Sequence, residues 1–420
     1  MSDAASRLRR RGARKCTDER GSSSDPPRCE IRAAGSTLFA AVTYGMLRRA
    51  SWSRPRQTPC EASAIVESGR RYSAHNPGWR RPLLAPTAGL PGGSVARQGE
   101  SPPRSSSAVH GLHGAASRDA VLDHPTSFHG GPTMILVTGA GGNVGRPLVD
   151  ELAAAGMPTR AAYRSADKAT RAKAAGLDAV TVDYARPETL APALDGVDAV
   201  FLLATGVEGQ IEGESSVVRA AKAAGVRHIV KLSVFGAAEE EFGFARTHRP
   251  VEREIEASGI AWTFLRPASY MQNFTNFMAP TIRAQHAMYT MIPDAVFNHV
   301  DTRDVARVAA TVLSQNGHAE QAYTLTGPRS FSYREAARTI GDVTGTPVQV
   351  VALSEADMRA GMKSHGVPDI YANHLVDLDR WYESGKGDMM TTSIRDITCR
   401  EPTSFEAFVR EFSAEFGGKP

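Results

Sequence analysis

A short apolar run, Ile135-Leu136-Val137, leads straight into Thr138-Gly139-Ala140-Gly141-Gly142-Asn143-Val144-Gly145, and an amphipathic stretch follows at once. No other feature of the 420 residues restricts the fold as much. A buried strand that ends in glycines and continues as a helix must turn sharply. The spacing gives each glycine its own role. Gly139 permits the turn, Gly142 lets the backbone approach a ligand, and Gly145 lets the helix pack close to the strand. Gly141, Asn143 and Val144 complete the loop. The N–H groups and partial positive charge at the helix start then suit a phosphate, so the turn is read as a dinucleotide site.

The pattern beyond it is regular. Thr159–Tyr163, Ala179–Val182, Asp198–Leu203, Val226–Leu232 and Ile260–Leu265 read as buried strands, separated by helical stretches that close at Gly156, Gly176, Gly225 and Gly259. Pro187 opens a short helix, where a missing N–H costs nothing. With right-handed crossovers, this alternation predicts an α/β Rossmann fold, a doubly wound parallel sheet with helices on both faces. After Pro267 the rhythm loosens into helices near Asp304–Leu313, Tyr333–Thr344, Glu355–Lys363 and Phe405–Phe412, with short strands at Ala322–Leu325 and Val348–Val351. The expected organisation is a Rossmann core over 134–267 and a smaller C-terminal α+β substrate lobe over 268–415.

Selection among dinucleotides is decided at the end of the second strand. An acidic residue there would hold a ribose 2′-hydroxyl, whereas Arg164 suits a 2′-phosphate, with Lys168 one helical turn on as a second charge. The expected cofactor is therefore NADPH, with NADH possible. Asp183 is placed near the adenine, and Ala204 and Thr205, after the fourth strand, along the cofactor.

Residues 1–133 have a different character. They hold about 20 basic and 10 acidic side chains and are rich in Ser, Gly and Pro, so they carry about +10 of a net +4, and the remainder is mildly acidic. Such a segment cannot bury enough apolar surface to offset its ordering entropy, and a disordered leader, with the true start near Met134, is expected. The acidic remainder argues against nucleic acid as a partner. No stretch reaches the ~20 apolar residues of a membrane span, so no membrane association and a cytoplasmic setting are expected. Cys16, Cys29, Cys60 and Cys399 have no metal-site spacing, and no metal is expected.

Together these segments resemble the atypical short-chain dehydrogenases called NmrA-like, which include triphenylmethane and quinone reductases. The matching pieces are Val137–Gly145, Tyr163-Arg164 with Lys168, Ile229–Ser233, His248 with Glu252, Thr263–Pro267 with Asn273, Val300–Ala306 and Glu401–Glu406. The resemblance spans 134–415 and implies NADPH-dependent reduction of a quinone-like or other small electrophile by a monomer or homodimer. It also admits a non-catalytic NADP(H)-binding redox sensor that acts through a protein partner.

Ordinary short-chain dehydrogenases use Ser with Tyr-x-x-x-Lys. Ser233 stands at the serine position, while His248 and Glu252 occupy the places of the tyrosine and lysine. Two readings are open: His248 as proton donor oriented by Glu252 one turn along the helix, or the two as a pair without catalytic role. Phe235, Tyr270 and Phe274, with Trp381, are candidates for an apolar substrate pocket. Arg266 is either at the ligand rim or an ion-pair partner of Asp301 or Asp304.

Overall fold

The computed structural model describes residues 134–203 and 206–418. The leader 1–133 and the cofactor candidates Ala204 and Thr205 lie outside the described residues.

Strands and helices alternate as β1 (Ile135–Val137), α1 (Gly145–Ala154), β2 (Thr159–Tyr163), α2 (Ala166–Ala174), β3 (Asp178–Thr181), α3 (Leu190–Leu194), β4 (Ala199–Leu202), α4 (Gln210–Ala223), β5 (His228–Leu232), α5 (Gly243–Ser258) and β6 (Ala261–Pro267). The chain continues through β7 (Ser269–Tyr270), α6 (Ala279–Gln285), β8 (Ala287–Thr290), β9 (Phe297–Val300), α7 (Thr302–Ser314), β10 (Gln321–Leu325), β11 (Ser330–Phe331), α8 (Tyr333–Thr344) and β12 (Gln349–Ala352). It ends in α9 (Glu355–Ser364), α10 (Asp369–Glu383), α11 (Ser393–Thr398) and α12 (Phe405–Glu411).

The main sheet is parallel, in the order β10-β6-β5-β4-β1-β2-β3. The chain order reverses between β1 and β4, and ligands bind at such a switch point, beyond the carboxyl ends of the strands. Period-two alternation divides the sheet's side chains between two cores. On one face Ile135, Val137, Phe201, Val230 and Leu265 meet Leu148 and Leu152 of α1 and Val305, Val308 and Val312 of α7. On the other Leu136, Val200, Ile229 and Phe264 meet Val217 and Ala221 of α4 and Val251 and Ile255 of α5.

Two expectations change here. The sheet has seven strands and not six, because β10 pairs with β6 in parallel from Gln321↔Thr263 to Leu325↔Pro267. Helix α7 likewise packs against α1 in the layer beneath the sheet. The boundary at residue 267 is therefore not a boundary in space: residues 302–325 return to the sheet and leave the lobe in two pieces. The physical reason is that β6 would otherwise present an unpaired edge.

The lobe is built on a three-stranded sheet, β11-β9-β7, and the parallel pair β12–β8. One of its cores gathers Met271, Phe274, Met288, Phe331, Ile340, Phe405 and Phe408, and the other Phe235, Phe242, Phe297, Trp381 and Tyr382.

Candidate active site

The glycine turn is shaped by contacts that only glycine tolerates. Gly139 has φ +62°, and a Cβ there would lie 2.7 Å from the Leu203 side chain. A Cβ on Gly145 would lie 2.2 Å from the Gly139 carbonyl oxygen. The Gly142 N–H closes the turn on that same oxygen at 2.9 Å. Val144, at the N-cap of α1, has no side-chain cap, and the first turn carries no acidic residue. Gly141, Gly142 and Asn143 are exposed, so their backbone faces outward at an uncapped, electropositive helix start. This is the cradle a pyrophosphate needs.

Thr138 ties the strand ends together: its hydroxyl donates to the Phe201 carbonyl (2.9 Å) and accepts from the Leu203 N–H (2.8 Å). Beside it opens a cleft of about 390 Å³ lined by Thr138, Gly139, Arg164, Asp183, Tyr184 and Gln210, among others. Arg164 is exposed and makes no ion pair among the described residues. Lys168 is exposed on the first turn of α2, which Ser165 caps, and is not among the lining residues of the cleft. Asp183 lines the cleft with its carboxylate engaged by the Ala185 N–H (3.1 Å) and by Arg186. The residues present fit a dinucleotide, with an anion cradle at one end and a cation free of acidic partners where a ribose phosphate would lie.

The other sequence candidates are arranged differently from expectation. Ser233, at the end of β5, is buried, its N–H donating to Leu265 (2.7 Å). Its hydroxyl has no hydrogen bond of good geometry, although it adjoins the Glu252 carboxylate. Glu252 is fully buried and takes a bidentate pair from Arg266 (3.0 and 2.7 Å) and a third bond from Arg249 (3.1 Å). Burial opposes its ionisation, but Arg266, Ser233 and Arg249 together hold its carboxyl below the usual range. Glu252 therefore does not orient His248. The guanidinium fork of Arg266 offers a planar, charge-assisted fit that an imidazole cannot match. The same pair settles Arg266, whose partner is Glu252 and neither Asp301, which pairs with Arg303, nor Asp304, which pairs with Arg307.

His248 instead faces α4, where Gln210 Nε2 lies 3.2 Å from Nε2 and 3.4 Å from Nδ1 of its ring. Burial, and then the positive charge of Lys231, push its pKa well below the ordinary imidazole value. Both work against the imidazolium form of the ring. Sequence reasoning passed over the group behind it. Lys231 and Glu214 form an ion pair at 2.5 Å with both side chains wholly buried. Tyr184, whose hydroxyl donates to the Leu203 carbonyl (2.9 Å), completes the polar wall. The available signal was a lysine inside the apolar run of β5, since a buried lysine demands a partner.

Of the aromatic candidates, Phe274 is a core residue, 1% exposed and packed on Phe405 and His299. Phe235 stands edge-on to Trp381 (5.3 Å) within the second lobe core. Both are buried in ring clusters, and neither lines the cleft. Tyr270 is half-buried at the end of β7 against the sheet's core, and burial raises its hydroxyl pKa.

Comparison with known proteins agrees with this geometry. Residues 132–409 match the NmrA-like family. The NAD(P)H azoreductase of Xenophilus azovorans is 33% identical over 288 residues, 68% of this chain and 99% of that protein. The (4-alkanoyl-5-oxo-2,5-dihydrofuran-3-yl)methyl phosphate reductase of Streptomyces griseus is 35% identical over 285 residues, 67% of this chain and 97% of the other. Among solved structures, the NADPH complex of the Escherichia coli quinone oxidoreductase QOR2 superposes with a TM-score of 0.61 at 29% identity, covering 68% of this chain and 100% of that one.

Proposed function

The chain belongs to the NmrA-like family, and from that premise we propose that it is an NADPH-dependent oxidoreductase that reduces a quinone-like or other conjugated small electrophile. The observation that carries the reading is Arg164, exposed at the rim of the cofactor cleft and free of ion pairs among the described residues, beside an uncapped helix start. Relatives named for azo, oxo-dihydrofuran and quinone acceptors support the substrate class. When bound, reduced nicotinamide supplies a hydride, which with one proton converts a quinone to its hydroquinone. Such an acceptor spreads the arriving charge over its conjugated system, so a neutral hydrogen-bonding wall suffices in place of a strong acid. We assign the hydrogen bond to the acceptor oxygen to His248, while the buried Ser233 hydroxyl adjoins the Glu252 carboxylate. Among the described residues no helix is long and apolar enough to cross a membrane.

The test uses the full chain loaded with NADPH and follows reduced-nicotinamide absorbance after quinones, azo dyes and enones are added. Turnover that falls by roughly tenfold or more in His248→Ala is expected. Tight NADPH binding with no oxidation by any acceptor overturns the enzyme and leaves the redox-sensor reading, to be pursued through a protein partner.

A further inference from the structure

Away from the cofactor cleft, α5, α9 and α10 enclose a second cavity of about 470 Å³. The two share no lining residue. A close helix approach sets its floor. The ring of His374 on α10 lies 2.6 Å from where a Cβ on Gly243 of α5 would stand, a distance that only glycine leaves open. That ring is fixed at both nitrogens. Nδ1 donates to the Ile370 carbonyl (2.7 Å), and Nε2 is 3.1 Å from the buried Thr247 hydroxyl.

The walls are cationic. Arg246 of α5, Arg359 of α9 and Arg380 of α10 line the cavity, and Asp377 is the one carboxylate in its lining. Arg246 pairs with Asp377. Glu355, which does not line the cavity, takes one bond from Arg359 and one from Arg380. These bonds leave Nη2 of Arg359, and Nε and Nη1 of Arg380, without a hydrogen-bond partner among the described residues. The start of α5 adds to the field, since its N-cap Phe242 supplies no side-chain cap and its first turn holds no acidic residue. Exposed ion pairs contribute little stability, so the fold itself does not call for three guanidinium groups around one cavity. Their unused donors suit an anion between them.

We propose that this cavity binds a small phosphate monoester. Such a group carries nearly two negative charges at neutral pH and three strong acceptor oxygens. It matches a lining with three arginines and one aspartate, whose planar forks fit phosphate oxygens in pairs. The volume lies in the range of small-molecule pockets, which leaves room for an organic part beside the phosphate. Asn373 Oδ1 accepts from Arg359 Nη1 at 2.7 Å and holds that guanidinium in place. The assignment stands apart from the acceptor proposed above, because the cavity faces α10 whereas His248 faces α4.

The experiment saturates the full chain with NADPH, so that the phosphate positions of the cofactor cleft are filled, and titrates it with phenyl phosphate in a calorimeter at neutral pH. One-to-one binding is expected. Benzoate, with one charge and two oxygens, should bind at least about tenfold more weakly. In Arg359→Gln with Arg380→Gln, the affinity for phenyl phosphate should fall about tenfold or more. Asn373→Asp keeps the acceptor for Arg359 and adds a negative charge to the lining, and it should weaken binding similarly. It decides the matter if the double variant does not fold. No binding to the NADPH-loaded chain overturns the proposal, as does an affinity unchanged in the folded variants. Benzoate bound as tightly as phenyl phosphate overturns the choice of a phosphate.

Discussion

At the scale of single residues, two side chains that look alike in the sequence part company. Arg164 is exposed at the cleft and makes no ion pair among the described residues, whereas Arg266 is committed to Glu252. Replacing Arg164 with Asp should weaken NADPH binding about 10- to 100-fold more than NADH binding, as measured by calorimetry with each cofactor. Equal losses would remove the 2′-phosphate assignment. Replacing Glu252 with Ala strands the largely buried guanidinium of Arg266, while Arg249 keeps Glu256, and should cost about 3–5 kcal/mol in denaturant unfolding. The glycines and Arg164 were legible because their reasons are local. The partner of Glu252 was not: helical spacing puts His248 and Glu252 on one face, but the competing arginine comes from a strand fourteen residues further on.

Among the elements, those bounded by glycine and carried by apolar periodicity matched their sequence signals, with β2 and α8 found where they were read. One strand that hides polar groups went unread. β9 reads Phe-Asn-His-Val, and its Asn298 and His299 are buried all the same. Asn298 repays its burial by bonding the Gly327 N–H at 2.7 Å and the Gly327 carbonyl at 3.3 Å, a partnership no local pattern announces. Helix α10 begins after Pro368 and buries a narrow stripe, chiefly Ala372, Val376 and Trp381, too sparse to stand out. The α1 start allows a direct test at this scale. A Gly145→Ala change drives a methyl group into the Gly139 carbonyl, and overpacking of this kind typically costs about 1–3 kcal/mol. Thermal unfolding should show that loss, and NADPH affinity should fall with it, since the same turn forms the cradle. Unchanged affinity would mean that the phosphates sit elsewhere.

For the whole molecule, stability should carry the mark of one carboxyl in the lobe. Asp379 on α10 has no ion pair or hydrogen bond among the described residues, and burial, then repulsion from Glu383, raises its pKa to about 7. A carboxyl whose pKa is higher in the folded state binds its proton more tightly there. Its stability contribution is present below the unfolded value near 4 and declines as pH rises toward 7. Asp379→Asn should therefore stabilise the protein by about 1–2 kcal/mol at pH 8, after allowance for partial solvent access, and by little at pH 4. Denaturant melts at the two pH values would show it, and an equal effect at both would place the cause in packing.

The return of β10 to the sheet has a consequence for how the chain can be cut. A fragment stopped at Pro267 would contain six of the sheet's seven strands and look complete by its motifs. It would nonetheless expose the whole flank of β6, from Thr263 to Pro267, as an open row of backbone donors and acceptors. It would also uncover the apolar face from which α7 is missing. Such a fragment invites a second copy to supply the absent strand, so it should exchange partners or precipitate. Ribosomes face the same problem from the other side: the cofactor half cannot close until residue 325 has emerged.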